Sequence, residues 1–167
     1  MEHPYRVGDA LPPLEIPVTR TLIVAGAIAS RDYQDVHHDA ELAREKGSPD
    51  IFMNILTTNG LVGRYITDHF GPTAVLRKVA IRLGAPNYPG DLLRLTGSIT
   101  TVESENHTPV GSGNRIPIES ENHTLIEVAV AGDNRMGRHV TGKVTVTLPH
   151  ESYKSQQPHG SHDARPL

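Results

Sequence analysis

Cysteine is absent from the 167 residues, and so is tryptophan; there are only two Phe and five Tyr. Without cysteine there is no disulfide and no thiolate chemistry. A reducing cytoplasm is the expected setting. Without tryptophan the core has to be filled by Val, Ile, Leu and Ala. Excess charge of one sign is also missing. Sixteen basic residues face nineteen acidic ones, and no basic stripe breaks that balance, which argues against nucleic acid as the main partner. No apolar run approaches the roughly 20 residues that cross a bilayer, so no membrane association is expected. The opening residues, Met1 to Arg6, contain no apolar stretch, so no signal peptide is expected. The length suits one domain with a proper core.

What is present is ordered from helix to strand. Residues 1–18 are polar and proline-rich, with Pro12-Pro13 and Pro17, and read as an extended lead-in. Thr21 to Ser30 is apolar and bounded by polar groups. Pattern alone allows a buried strand or a buried helix; its alanines favour helix. Asp39 suits an N-cap, Glu41 the first turn and Lys46 the last, with Gly47 and Pro49 as stops. That predicts a helix of about two turns. Ile51 to Phe70 is the longest helical candidate, with Ile51, Ile55, Leu56, Val62 and Ile66 at a loose helical period. Gly60 and Gly63 each weaken a helix by about 1 kcal/mol relative to Ala. Their presence points to another backbone approaching closely. Gly71-Pro72 ends the segment.

The remainder alternates as strands do. Val75, Arg77, Val79, Ile81 and Leu83 fall on one face, opposite Lys78 and Arg82. A turn over residues 85–91 leads to a second strand through Leu93, Leu95 and Ile99. Ile126, Val128 and Val130 mark a third, Gly132-Asp133-Asn134 a turn, and Val140, Val144, Val146 and Leu148 a fourth. Helices followed by antiparallel strands make an α+β fold. The hexapeptide Glu103 to Thr108 recurs unchanged at Glu119 to Thr124. It reads as a duplicated insertion around 103–124 that lengthens a hairpin loop, a mild change thermodynamically. The domain is expected to span 1–148, with a disordered polar tail over 149–167. His159 and His162 in that tail are too scattered to suggest a metal, and none is expected.

The densest polar run is Arg31-Asp32-Tyr33-Gln34-Asp35-Val36-His37-His38-Asp39. Asp32 and His37 are five residues apart. A helix would set them about 140° apart around its axis, and a strand would put them on opposite faces. They converge only in an irregular loop. There, a carboxylate and an imidazole could share one water, the minimum for acid–base chemistry near neutral pH. The plain alternative is a capping Asp and a solvated loop His. The residues alone leave both open.

The same run resembles the hydratase motif of the MaoC-like, (R)-specific enoyl-CoA hydratases. There, an Asp is followed five residues later by His and then by an acidic residue. Here the matching positions are Asp32, His37 and Asp39, with the expected small residue at Ala43. The likeness runs from about Leu22 to Leu148. The chain departs from the pattern at Gln34-Asp35, where Asn-Pro is usual. Together with the stretch from Gly47 to Asp68, the motif is most similar to the small chains of two-chain steroid side-chain hydratases.

The resemblance implies a hot-dog fold, an antiparallel sheet wrapped around a long central helix, here Ile51 to Phe70. It implies water addition across the double bond of an acyl-CoA substrate, bulky and of steroid side-chain type. Asp32 and His37 would be the catalytic pair. The backbone N–H at Asn54, where the family usually has Gly, would be the oxyanion donor; the alternative is that Asn54 only caps the helix. No cofactor is implied, since coenzyme A is part of the substrate. The implied partner is a second MaoC-like chain. Two rivals stay open: a catalytically silent structural subunit, and a hot-dog thioesterase, whose carboxylate would have to be Asp68. His38 is a rival to His37 as base. Arg77, Lys78 and Arg82 suit either phosphates or a solvated strand face.

Overall fold

The structure, a computed structural model, describes residues 4–105 and 123–149. Its elements in chain order are β1 (Ala10–Pro17), α1 (Arg20–Ala29), a single 3₁₀ turn (Asp35–His37), α2 (Ala40–Glu45), α3 (Ile55–Phe70), β2 (Val75–Leu83), β3 (Leu92–Glu105), β4 (His123–Asn134) and β5 (Gly137–Pro149). The strands form one five-stranded antiparallel sheet in the order β1-β3-β4-β5-β2. Burial along β4 alternates residue by residue, as a sheet with one covered face requires. The covering element is α3. Val62, Tyr65, Ile66 and Phe70 share one buried cluster with Leu93, Leu95, Ile126, Val128, Val144 and Val146. A Cβ at Gly97 would lie 3.1 Å from the Tyr65 ring, so this glycine lets the helix lie close against the sheet. This is the α+β, hot-dog arrangement.

Several expectations need correction. The lead-in contains a strand: β1 pairs with β3, with a register shift between Leu11 and Leu14 where Pro12-Pro13 falls. Proline is tolerated there because β1 is an edge strand. The central helix starts at Ile55, not Ile51, because Asn54 is extended (φ −77°, ψ 162°) and caps it. No close backbone approach explains Gly60 or Gly63. A Cβ at Gly60 would meet nothing within 4 Å, and at Gly63 only a Leu76 methyl at 3.4 Å. The alternation along β2 is broken by a register shift between Leu76 and Lys78. The shift puts Leu76 opposite buried Val146 and Val75 opposite Thr147. Gly132, Asp133 and Asn134 belong to β4, and the turn is at Arg135-Met136.

The two copies of the repeated hexapeptide meet at the end of one hairpin. Glu105 pairs with His123 and Ser104 with Thr124. Residues 106–122, and the tail from 150 that carries His159 and His162, lie outside the described residues.

Candidate active site

Helix α1 begins at the Thr19 cap, whose side chain accepts the Leu22 N–H, and ends by aiming Asp32. The Asp32 N–H donates to Ala27 O at 2.9 Å and the Arg31 N–H to Ile28 O at 3.0 Å. This is a Schellman ending, which needs one residue in the left-handed region. That residue is Arg31, at φ 57°. The chain then crosses to the 3₁₀ turn, closed by His37 N–H to Gln34 O at 3.0 Å. Asp39 accepts the N–H groups of Glu41 and Leu42 and starts α2. The stretch from 30 to 37 is therefore neither a continuous helix nor a strand, the condition under which Asp32 and His37 can meet. Asp32 Oδ2 lies 3.4 Å from His37 Nε2, with the side chains 17% and 7% exposed. The pair is sunken yet reachable.

The imidazole is fixed from behind. His37 Nδ1 lies 2.7 Å from the Phe52 carbonyl, which can only accept, so Nδ1 carries the proton. The Phe52 ring stands edge-on to the imidazole at 5.0 Å between centroids. In the neutral ring, Nε2 then presents its lone pair toward Asp32. Two acceptors side by side suit a water molecule that sits beside the pair and donates to both.

Asn54 completes the group. It is 2% exposed. Its Oδ1 accepts the Thr57 N–H at 2.9 Å and so caps α3. Its Nδ2 donates to Ser30 Oγ at 2.9 Å and to Asp32 Oδ2 at 3.0 Å. The segment that carries Phe52 and Asn54 is held by Phe52 N–H to Val36 O and Met53 N–H to Asn87 O. Asn87 is itself buried and accepts from Asn134 at 2.7 Å. The backbone N–H of Asn54 has no acceptor among the described residues. One turn into α3, Thr58 donates to His139 Nε2 at 2.9 Å, while His139 Nδ1–H donates to Ala85 O at 2.7 Å. Burial pushes the pKa of His139 below the usual imidazole value.

The other polar residues of the run point elsewhere. His38 is exposed, with Nε2 3.2 Å from Tyr33 O. Asp35 pairs with Lys46 at 2.7 Å, which lowers its pKa. Arg77, Lys78 and Arg82 are exposed on β2, and Arg77 donates to Thr147. Asp68 pairs with Arg64 on the exposed face of α3. It lies fourteen positions beyond Asn54, about 20 Å along the helix at 1.5 Å per residue. Among the described residues no group of three or more His, Asp or Glu could hold a metal, and no helix is long and apolar enough to cross a membrane.

The structure brings the candidates Asp32, His37 and Asn54 together, and adds Phe52, Ser30 and the Asn54 amide, which the sequence did not point to. Phe52 acts through a carbonyl, which every residue has. Ser30 reads only as the polar end of an apolar helix. The one usable signal was a buried-type polar residue, Asn54, standing alone before an apolar helix.

No protein-family model matches the chain. A curated relative, the beta subunit of 3-oxo-4,17-pregnadiene-20-carboxyl-CoA hydratase from Mycobacterium tuberculosis, is 42% identical over 142 residues, 85% of this chain and 95% of the relative. The ChsH1-ChsH2 complex of Mycobacterium tuberculosis contains a chain 41% identical to this one, with a TM-score of 0.70 over 86% of this chain and 98% of that chain. The (R)-hydratase of A. caviae involved in PHA biosynthesis shares the fold at 16% identity, with a TM-score of 0.71 over 89% of this chain and 100% of that chain. With this identity carried across nearly the whole described fold, the chain belongs to the family of the 3-oxo-4,17-pregnadiene-20-carboxyl-CoA hydratase beta subunit and shares the fold of the (R)-hydratases.

Proposed function

We propose that this chain is the acid–base subunit of a two-chain hydratase acting on a bulky enoyl-CoA of steroid side-chain type. The observation that carries the proposal is the 3.4 Å approach of Asp32 Oδ2 to His37 Nε2 in a partly open recess. A water bound to both loses a proton to one group as its oxygen adds to the β carbon of the α,β-unsaturated thioester. The same proton, passed across the 3.4 Å to the other group, is delivered to the α carbon, so that both groups end as they began. The net change is addition of one water, and no cofactor is needed. Positioned acid–base groups of this kind contribute about 10²–10⁴-fold in rate.

Between the two proton transfers, charge collects on the thioester oxygen as an enolate. Asn54 is the proposed donor: it caps the positive end of a sixteen-residue helix, and its own N–H is unused among the described residues. Losing such a donor costs about 10²–10³-fold.

Substrate class and partner rest on the relatives. One is named for a 3-oxo-pregnadiene-carboxyl-CoA and the other was solved as a complex of two chains. Exposed apolar groups flank the pair here: Tyr33 beside Asp32, and Ile55 and Leu56 beside Asn54. They suit an apolar acyl group, a partner chain, or both in turn. A second MaoC-like chain that shapes the pocket without adding an acid–base pair would widen the recess for fused rings. Strand β2 offers it a sheet edge unpaired among the described residues, with Val75 and Leu76 exposed. The proposed compartment is the cytoplasm, in keeping with a chain that has no cysteine.

The test is hydration of a steroid enoyl-CoA, followed by loss of the conjugated-thioester absorbance, with the chain alone and with a co-expressed MaoC-like partner. Hydration that strengthens with the partner supports the proposal. Release of free thiol without hydration would replace it with thioesterase chemistry.

A further inference from the structure

We propose that the side-chain amide of Asn54 is a positioning residue for Asp32, fixing which carboxylate oxygen meets the water. This rests on the acid–base reading above and adds a role distinct from the Asn54 backbone N–H.

The hydrogen-bond inventory allows one orientation of the amide. Oδ1 faces the Thr57 N–H, so it must be the oxygen. Nδ2 faces two oxygens, Ser30 Oγ and Asp32 Oδ2, and has two hydrogens to give. The Ser30 hydroxyl spends its own hydrogen on the Gly26 carbonyl at 2.7 Å, which leaves its lone pair for Asn54. A flipped amide would set N–H against N–H and oxygen against carboxylate. The chain of bonds therefore runs in one direction, from Asn54 to Asp32 and from Asn54 through Ser30 to the last turn of α1.

The consequence falls on Asp32. Its Oδ2 already accepts from Asn54 and faces His37 Nε2. Its Oδ1 has only a weak contact, the Gln34 N–H at 3.5 Å. The amide takes one lone pair of Oδ2 and leaves the other for the water shared with His37. The amide also ties that carboxylate to the start of α3, so the acid–base pair and the proposed enolate donor move as one body. Burial at 2% exposure keeps water from replacing the amide.

Three substitutions separate positioning from capping. Asn54→Ser still caps, since Ser is as good an N-cap as Asn. A capping hydroxyl cannot also reach Asp32. Asn54→Gly keeps the backbone N–H and weakens the cap by only a few tenths of a kcal/mol. Asn54→Asp caps fully but sets a second carboxyl against Asp32 Oδ2 at the amide's distance of 3.0 Å. Two carboxyls that close raise the proton affinity of one, and once protonated that group donates as the amide did.

The experiment measures kcat, KM, Tm and assembly size for each variant in the assembled hydratase, from about pH 5 to about pH 8, with Asp32→Asn alongside. For Asn54→Ser and Asn54→Gly, kcat is expected to fall ~10–100-fold, the scale of a misplaced reacting group, with KM and assembly little changed. For Asn54→Asp, activity relative to wild type should be lowest at high pH and recover as pH falls. If the Ser and Gly variants keep kcat within about twofold while Asp32→Asn is inactive, the amide is only a cap and the proposal fails, with the acid–base reading intact. A flat pH ratio for Asn54→Asp overturns it equally, and that test stands even if the other variants fold poorly. If Asp32→Asn is as active as wild type, the reading beneath the proposal fails and takes the proposal with it.

Discussion

At the scale of single residues, the site depends on a backbone conformation that its residue does not favour. Arg31 sits at φ 57°, which costs a non-glycine residue about 1–2 kcal/mol. The reversal it makes is what turns Asp32 out of α1 toward His37. Arg31→Gly relieves that strain but adds freedom to the unfolded chain, worth about 0.4–1 kcal/mol. A net gain of about 0.5–1 kcal/mol in unfolding free energy is expected from urea titration. A net loss would mean that the exposed Arg31 side chain makes contacts that outweigh its strain. The five-residue spacing of Asp32 and His37 was visible in the sequence. Their convergence was not, because it depends on a left-handed residue that is not glycine and on a carbonyl, that of Phe52. Asn54 was legible as a polar residue at a helix start, but the direction of its amide depends on Ser30, a residue distant in sequence.

At the scale of elements, the approach of α1 to α3 sets the geometry, and a glycine permits it. A Cβ on Gly26 would fall 2.2 Å from Thr57 Oγ1, well inside contact distance. Alanine's helical advantage of about 1 kcal/mol cannot offset that clash against a stiff β-branched side chain. Gly26→Ala is expected to destabilise by about 1–3 kcal/mol and to lower hydratase activity by parting Asp32 from Asn54. Gly60 is the contrast, with open space around it. Gly60→Ala is expected to stabilise the isolated chain by about 1 kcal/mol. Thermal melts of both variants check the pair; equal effects would contradict the packing described. The glycines of the long helix drew attention in the sequence, yet the decisive close approach is in the short one. Spacing reveals a glycine but not what faces it. The β2 alternation failed for a related reason, since a bulge shifts the register without changing composition.

At the scale of the molecule, the helix-then-strand order and the alternation of β4 and β5 made the α+β fold legible. The sheet order, and the place of β1 at its edge, were not, because pairing partners leave no local signal. Stability should carry a pH signature from the core. Burial lowers the pKa of His139 from 6.5, and that of His69 likewise. The unfolded chain then binds protons first as pH drops, so stability is full above about pH 6.5 and declines below it. Urea midpoints from about pH 7 to about pH 5 should fall, and His139→Gln should flatten that slope; an unchanged slope would remove His139 as a cause. Assembly makes a separate demand. Val75 is 45% exposed on the open edge strand, so Val75→Asp should leave the isolated chain's Tm within the small range of surface changes. It should weaken binding to a MaoC-like partner, as read by size-exclusion chromatography. Undiminished binding would move the interface away from β2.

The most direct measurement of the central claim replaces Asp32 with Asn and His37 with Gln, one at a time, in the assembled two-chain protein. Steroid enoyl-CoA hydration is then followed with assembly size checked for each variant. Loss of at least about 10²-fold in kcat from either substitution, with assembly intact, is the expected result. Wild-type rates from both variants would contradict it and make this chain a structural subunit whose motif carries no chemistry.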